Sequence, residues 1–273
     1  MERWRGRTAL VTGASSGIGY SIAEQLAKNG MNVIGCARRA EKIEELAQKC
    51  AACTPGKDCS QGGCGEITTV KCDLTNEEEV LQMFQRIEKD FKHVDILVNN
   101  AAMLTEDDLM TGETKGWKKT LDLNVLALSI CTREALRLMF KDNVDDGHVI
   151  NINSIAGHMN SAPGTSMFDF YIGTKHMVTA LTKALNAELR QKKTKIRVTS
   201  ISPGTVRTEI WDHLENIENK EMSPETQRTM EEIKSIQILE AKDIADSVLY
   251  VIGVPPHVNI RELIVAPTEQ SMQ

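Results

Sequence analysis

Short apolar runs alternate with longer stretches whose apolar residues return every three or four positions, from one end of the chain to the other. Thr8–Thr12 reads Thr-Ala-Leu-Val-Thr, nearly all apolar, as befits a strand buried on both faces of a parallel sheet. Residues 17–29 then predict a helix that Gly30 stops. The same rhythm predicts strands at 31–36, 66–72, 95–99, 148–153, 195–201 and 261–266. Between them it predicts helices at 40–50, from 76 onward, at 166–190 and at 241–251, with one long helix inside 113–140. Ile43, Leu46 and Ala47 carry the helical spacing in the second helix, and Thr75 or Asn76 is the expected cap of the third.

Alternation of this kind implies an α/β fold, with about seven parallel strands and helices on both faces. The 273 residues show no solenoid-period repeat and no linker, so residues 1–273 are expected to form one domain. Two stretches break the rhythm: residues 50–65, rich in Cys and Gly, and residues 205–239, polar and expected to cover a substrate as a lid. A net charge of -6 argues against a nucleic-acid surface. No apolar run reaches the roughly 20 residues of a membrane helix. The first residues lack the apolar centre of a secretory signal, which predicts a cytoplasmic protein with reduced cysteines.

The chemistry concentrates in a few positions. Tyr171 and Lys175 are one helical turn apart, so both project from one face. A phenol ionises near pH 10, and a nearby ammonium is expected to lower that value. A tyrosine so placed exchanges a proton with an alcohol or carbonyl near neutral pH. Upstream, Gly13, Gly17 and Gly19 stand between a strand and a helix. Glycines there let the backbone approach a pyrophosphate at the helix N-terminus; a turn with no ligand is the plain alternative. After the second strand, where a carboxylate would select NAD, the chain has Arg38 and Arg39. Two guanidiniums favour the 2′-phosphate of NADP(H), against the alternative of a solvated basic pair.

Taken together, the Thr12-Gly13-Ala14-Ser15-Ser16-Gly17-Ile18-Gly19 turn, the Asn99-Asn100-Ala101-Ala102 run, Asn124, Ser154, the Tyr171/Lys175 pair and Pro203-Gly204 resemble the short-chain dehydrogenase/reductase family over essentially the whole chain. Ala102 replaces a glycine of the family pattern. Segments 1–5, 35–38, 124–134, 144–148 and 267–270 further resemble one branch, which holds the vertebrate family member 11 proteins and the insect NADP-dependent farnesol dehydrogenases. The resemblance implies a Rossmann-like doubly wound fold, NADP(H) as cofactor, and a hydrophobic alcohol or carbonyl as substrate, of isoprenoid or keto-steroid type. A broader retinoid or xenobiotic carbonyl reductase is the runner-up, and a silent NADPH-sensing protein the competitor from another class. It implies pairing into a homodimer or homotetramer through the two long helices.

The resemblance also implies roles. Asn124, Ser154, Tyr171 and Lys175 would be catalytic: Ser154 on the substrate oxygen, Tyr171 moving the proton, Lys175 tuning it and holding the ribose, Asn124 placing a relay water. Substrate would meet Ser154 and Tyr171. Gly13, Ser15, Ser16, Gly17, Ile18 and Gly19 would hold the pyrophosphate, and Arg38, Arg39 and Glu44 the 2′-phosphate end. Asp73 and Leu74 would meet the adenine, and Asn100, Ala101 and Ala102 the adenosine ribose region. Pro203, Gly204, Thr205, Val206 and Thr208 would meet the nicotinamide and phosphates.

Several features depart from that pattern. The Ser154–Tyr171 interval is lengthened through residues 158–165, which bears on substrate shape. Gly173 sits inside the catalytic helix at a cost of about 1 kcal/mol, as if to admit a close neighbour. Cys50, Cys53, Cys59 and Cys64 offer four thiolates in principle, but without a second C-x-x-C pair they read as free thiols of a surface insertion, and no metal site is expected. The six histidines form no helical ligand pair; His158, near the substrate loop, is expected to face solvent, with contact to the ligand as the alternative. Met222 and Met230 read as surface or core filling, with an adaptable apolar pocket as the alternative.

Overall fold

The computed structural model describes residues 1–104, 109–160, 168–210, 231 and 235–270. Seven strands make one parallel sheet: β1 (Thr8–Thr12), β2 (Asn32–Ala37), β3 (Ile67–Lys71), β4 (Ile96–Asn99), β5 (His148–Ile152), β6 (Arg197–Pro203) and, last in sequence, β9 (Glu262–Val265). Their order across the sheet is β3-β2-β1-β4-β5-β6-β9, so the chain reverses direction between β1 and β4. Parallel strands end at the same edge, and in such sheets ligands sit outside the carboxyl ends at the reversal point. Thr12, Asn99, Ile152 and Pro203 are the last residues of β1, β4, β5 and β6 and all lie at that edge.

The side-chain alternation of the strands builds two cores. Ala9 and Val11 face one side with Ile22 and Leu26 of α1 (Gly17–Lys28), Ile43 of α2 (Ala40–Ala51) and Val248 of α7 (Ala241–Gly253). Leu10 between them faces the other side with Phe84 of α3 (Glu77–Phe91) and Leu138 of α5 (Leu128–Lys141). Each fully buried Val, Leu, Ile or Phe side chain among them contributes about 1.5–3 kcal/mol relative to exposure. Asn76 caps α3, its side chain accepting from the N–H groups of Glu78 and Glu79, and three glutamates face the positive end of the helix dipole.

The helical run expected inside 113–140 is continuous but changes register. It comprises α4 (Thr114–Leu121), a π turn at Asp122–Ala127 and then α5. A single π turn inside a helix costs regular hydrogen bonding and commonly marks a functional site; this one contains Asn124. The helix carrying Tyr171 and Lys175, α6, spans Asp169–Gln191.

Sequence patterning missed one small sheet. β7 (Val206–Arg207) pairs in parallel with β8 (Leu239–Glu240), so the two ends of the 205–239 stretch are joined at its base. The stretch between, with Met222, Met230 and His213, lies outside the described residues, as do 161–167 of the lengthened loop. Cys50 is not part of a surface insertion: it closes α2 and is buried at 1% exposure. Gly173 has no close neighbour either, because a Cβ there would meet nothing within 4 Å.

Candidate active site

The glycine turn is braced from the next strand ends. Gly13 and Gly17 have φ of 68° and 54°, the left-handed region that favours glycine. A Cβ on Gly19 would lie 2.3 Å from the Gly13 carbonyl oxygen and 2.4 Å from Asn100 Nδ2. Asn100 Nδ2 donates to the carbonyls of Thr12 (2.9 Å) and Gly13 (3.3 Å). The N–H groups of Asn100 and Ala101 both donate to Thr12 Oγ1, at 2.9 and 3.1 Å. Asn100 therefore spends its amide on the turn itself. The N-terminus of α1 is left open: Ser16 makes no side-chain cap and the first turn carries no carboxylate. Unpaired N–H groups and a positive dipole end fit a pyrophosphate.

The basic pair divides. Arg39 Nη2 reaches Ser16 Oγ at 2.9 Å and Glu209 Oε2 at 2.6 Å, linking the glycine turn to the segment after β6. Thr208 closes the same gap, since a Cβ on Gly17 would lie 3.0 Å from its Cγ2. Arg38 is exposed, as is Glu44 on α2. Burial works against ionisation of Asp73, but hydrogen bonds from Thr75 and the charges of Arg38 and Lys119 outweigh it and hold the carboxyl below its usual range. Leu74 is buried beside Asp73 and shares a small cavity with Thr12, Ala101 and Leu123.

At the ends of β5 and α6 the remaining residues converge. Lys175 is buried and its Nζ donates to the Ile152 carbonyl at 3.1 Å, lying 5.6 Å from the centre of the Tyr171 ring. Ser154 caps a 3-10 turn, Ile155–Gly157, accepting from Ala156 N–H at 3.1 Å, and hydrogen-bonds the Tyr171 hydroxyl. Burial dominates both titrating groups. It lowers Lys175 from 10.5 to about 8. It raises Tyr171 to about 12, with the Ser154 bond acting the other way. The expected lowering of the phenol by Lys175 is thus not what this arrangement gives: taking both groups out of water favours the neutral form of each.

Asn124 faces inward from the π turn. Its side chain accepts from Met103 N–H (2.8 Å) and donates to the Met103 carbonyl (2.9 Å) and Thr174 Oγ1 (3.2 Å). Every polar atom of the side chain is taken, so a relay water would have to use its main chain. A buried ladder absent from the sequence reading lies behind. Asn99 Nδ2 donates to Asn151 Oδ1 and Thr132 Oγ1, both at 2.9 Å, and Asn151 Nδ2 donates to Thr182 Oγ1 at 2.8 Å. It ties the ends of β4 and β5 to α5 and α6.

Gln270, last residue of the 267–270 segment, is a functional neighbour that no local pattern marks. Its Oε1 accepts from Thr205 N–H at 2.9 Å while its Nε2 donates to Thr205 Oγ1 at 3.0 Å. Gly204, Thr205 and Val206 are thereby pinned directly after Pro203, with Gly204 N–H donating to the Val265 carbonyl at 2.7 Å. His158 is not a solvent-facing residue: it pairs with Ser202 Oγ (2.9 Å) and Glu262 (3.2 Å). Among the described residues no group of three His, Cys, Asp or Glu is arranged to hold a metal ion, and no helix is long and apolar enough to cross a membrane.

Residues 7–219 match the family model described as short chain dehydrogenase. The chain is 47% identical to "Dehydrogenase/reductase SDR family member 11" of Gallus gallus, over 99% of both chains. It is 41% identical to "Farnesol dehydrogenase" of Aedes aegypti, over 98% of both. Among solved structures, the closed form of a serine dehydrogenase complexed with NADP+ superposes with a TM-score of 0.77 at 29% identity, covering 97% of this chain and 96% of that one.

Proposed function

The chain belongs to the short-chain dehydrogenase family, and from that premise we propose that it is an NADP(H)-dependent oxidoreductase interconverting hydrophobic alcohols and carbonyls, of the farnesol or keto-steroid kind. The observation that carries the reading is the Ser154–Tyr171–Lys175 constellation, one hydroxyl hydrogen-bonded to another with a buried amine behind. The insect farnesol dehydrogenase at 41% identity supports the substrate class.

NADP(H), when bound, supplies or accepts the hydride. The free N–H groups of Ser15 to Gly19 are suited to its pyrophosphate. Arg39, already at the glycine turn, and Arg38 beside Asp73 are suited to its 2′-phosphate, with Glu44 at that end. Asp73 and Leu74 border the adenine side, Asn100, Ala101 and Ala102 the ribose beside it, and Pro203 to Thr208 the nicotinamide side. The NADP+-bound serine dehydrogenase supports this choice of cofactor.

In the reductive direction Ser154 and Tyr171 hold the carbonyl oxygen, and donors aimed at that oxygen stabilise the charge it develops. Tyr171 gives up its proton; at neutral pH its raised value keeps that proton in place until the transfer. Lys175 supplies positive charge behind the ring, and Asn124 fixes the neighbouring loop and α6 through Met103 and Thr174. Exposed Leu126 on the π turn, Phe140 on α5 and Met177 on α6 support pairing of like chains over these helices.

The test follows the absorbance of NADPH, with farnesol plus NADP+ and keto-steroids plus NADPH, and NAD(H) as the comparison. Turnover is expected with NADP(H) and at least tenfold less with NAD(H), the scale of one lost charge-assisted contact of about 1.5–3 kcal/mol. Tyr171→Phe should abolish turnover and leave NADPH binding intact. A variant that still turns over would remove Tyr171 from the chemistry. NADPH binding with no turnover of any substrate would favour a sensing protein.

A further inference from the structure

Arg39, the residue before α2, spends one nitrogen twice. Its Nη2 donates to Ser16 Oγ at 2.9 Å on the glycine turn and to Glu209 Oε2 at 2.6 Å, just past β7. A terminal guanidinium nitrogen carries two N–H groups, and both of these have a partner. The two bidentate edges of the fork are Nη1 with Nη2 and Nε with Nη2, so each needs an N–H of Nη2. A phosphate therefore cannot take either edge of Arg39 while Ser16 and Glu209 hold that nitrogen. Of the two holders, Ser16 is a neutral hydroxyl that can turn toward another acceptor. Glu209 is an anion at neutral pH, because its hydrogen bond with Arg39 holds the carboxyl below its usual range. Both side chains of this ion pair are about half exposed, and exposed pairs are weak. A phosphate monoester bears a charge of about −1.5 to −2 and outcompetes a single carboxylate for a guanidinium.

We propose, resting on the NADP(H) reading of the site, that Glu209 is an internal competitor of the cofactor's 2′-phosphate for the Nη2 edge of Arg39. A ligand with that phosphate must drive the carboxylate off Arg39, and the returning carboxylate helps the ligand leave. A ligand without it has no claim on the edge and leaves the Arg39–Glu209 bond standing. Glu209 thus weakens binding of phosphorylated ligands alone, and it acts through Arg39 and not through its charge at large.

The experiment titrates the full chain calorimetrically with two probes, adenosine 2′,5′-bisphosphate and adenosine 5′-monophosphate. The wild-type chain should prefer the bisphosphate by about tenfold, the scale of one charge-assisted contact. Glu209→Gln keeps the length of the side chain and removes its charge. It should bind the bisphosphate about three- to fivefold more tightly than wild type, the scale of one exposed ion pair, and bind the monophosphate as before. In a chain already carrying Arg39→Gln, adding Glu209→Gln should change neither affinity. An equal gain for both probes, no gain for the bisphosphate, or a gain that survives Arg39→Gln would each overturn the proposal. A wild-type chain that binds both probes equally would sink the NADP(H) reading, and the proposal with it. A wild-type chain that prefers the bisphosphate, with Glu209→Gln no different, sinks the proposal alone.

Discussion

Lys175 shows how burial fixes both a cost and a function. The unfolded chain holds this proton at its ordinary value of 10.5, the folded one at about 8. Below pH 8 the folded state therefore bears the full cost of the buried charge, about 3 kcal/mol. Between about pH 8 and 10.5 stability recovers as the unfolded chain alone remains protonated. Lys175→Met should relieve most of that cost. Loss of the bond to the Ile152 carbonyl returns about 1 kcal/mol, leaving a melting temperature higher by about 5 °C at pH 7. Turnover should vanish. The thermal gain should shrink to nothing by pH 10, and calorimetry at the two pH values checks it; an equal gain at both would mean that packing, not charge, is responsible. Carbonyl reduction in the wild-type chain should hold steady below pH 8 and fall above it as Lys175 loses its proton, since Tyr171 stays protonated up to about 12. The spacing of Tyr171 and Lys175 is legible in the sequence. The direction of the tyrosine shift is not, because it depends on how deeply α6 and β5 bury the pair, which local spacing does not record.

At the scale of elements, strands and helices were readable where periodicity is strong, as in β1 and α3. The π turn at Asp122–Ala127 was not, because its sequence keeps ordinary helical spacing and the register change is held by tertiary bonds from Asn124 to Met103 and Thr174. β7 and β8 were missed because two residues each give no periodic signal. The glycine turn is the opposite case: three glycines are visible in the sequence, and the structure explains each by a positive φ or by crowding. Gly19 is the tightest. Gly19→Ala would drive a methyl against the Gly13 carbonyl and the Asn100 amide, where the neighbour is backbone and cannot swing aside. Overpacking of this kind costs about 1–3 kcal/mol. The turn is expected to open, raising the dissociation constant for NADPH by at least tenfold, while far-ultraviolet circular dichroism stays that of the folded protein. Unchanged NADPH titration in the folded variant would show that the pyrophosphate does not use this turn.

The whole molecule brings residues from position 12 to position 270 to one sheet edge. At the opposite edge it is closed by Trp4, fully buried, whose indole N–H donates to the Ile252 carbonyl at 2.8 Å beneath the guanidiniums of Arg3, Arg7 and Arg197. The Gln270 clamp shows why long-range design escapes local reading: its two partners, both on Thr205, are 65 positions away. Thr205 is buried, so Gln270→Ala strands its N–H and hydroxyl without partners, a loss of about 1–3 kcal/mol. The same residue begins the segment that carries β7, Thr208 and Glu209 to the glycine turn, with Leu239 N–H of β8 donating to its carbonyl at 3.0 Å. Loosening Thr205 should therefore act on cofactor closure more than on proton transfer. KM for NADPH should rise about tenfold, with kcat reduced less, and Gln270→Glu, which keeps the acceptor for Thr205 N–H, should recover part of the difference. Steady-state kinetics at saturating substrate separates the two parameters. Equal losses in kcat with an unchanged KM would place Gln270 behind the proton-transfer residues instead of behind the cofactor cleft.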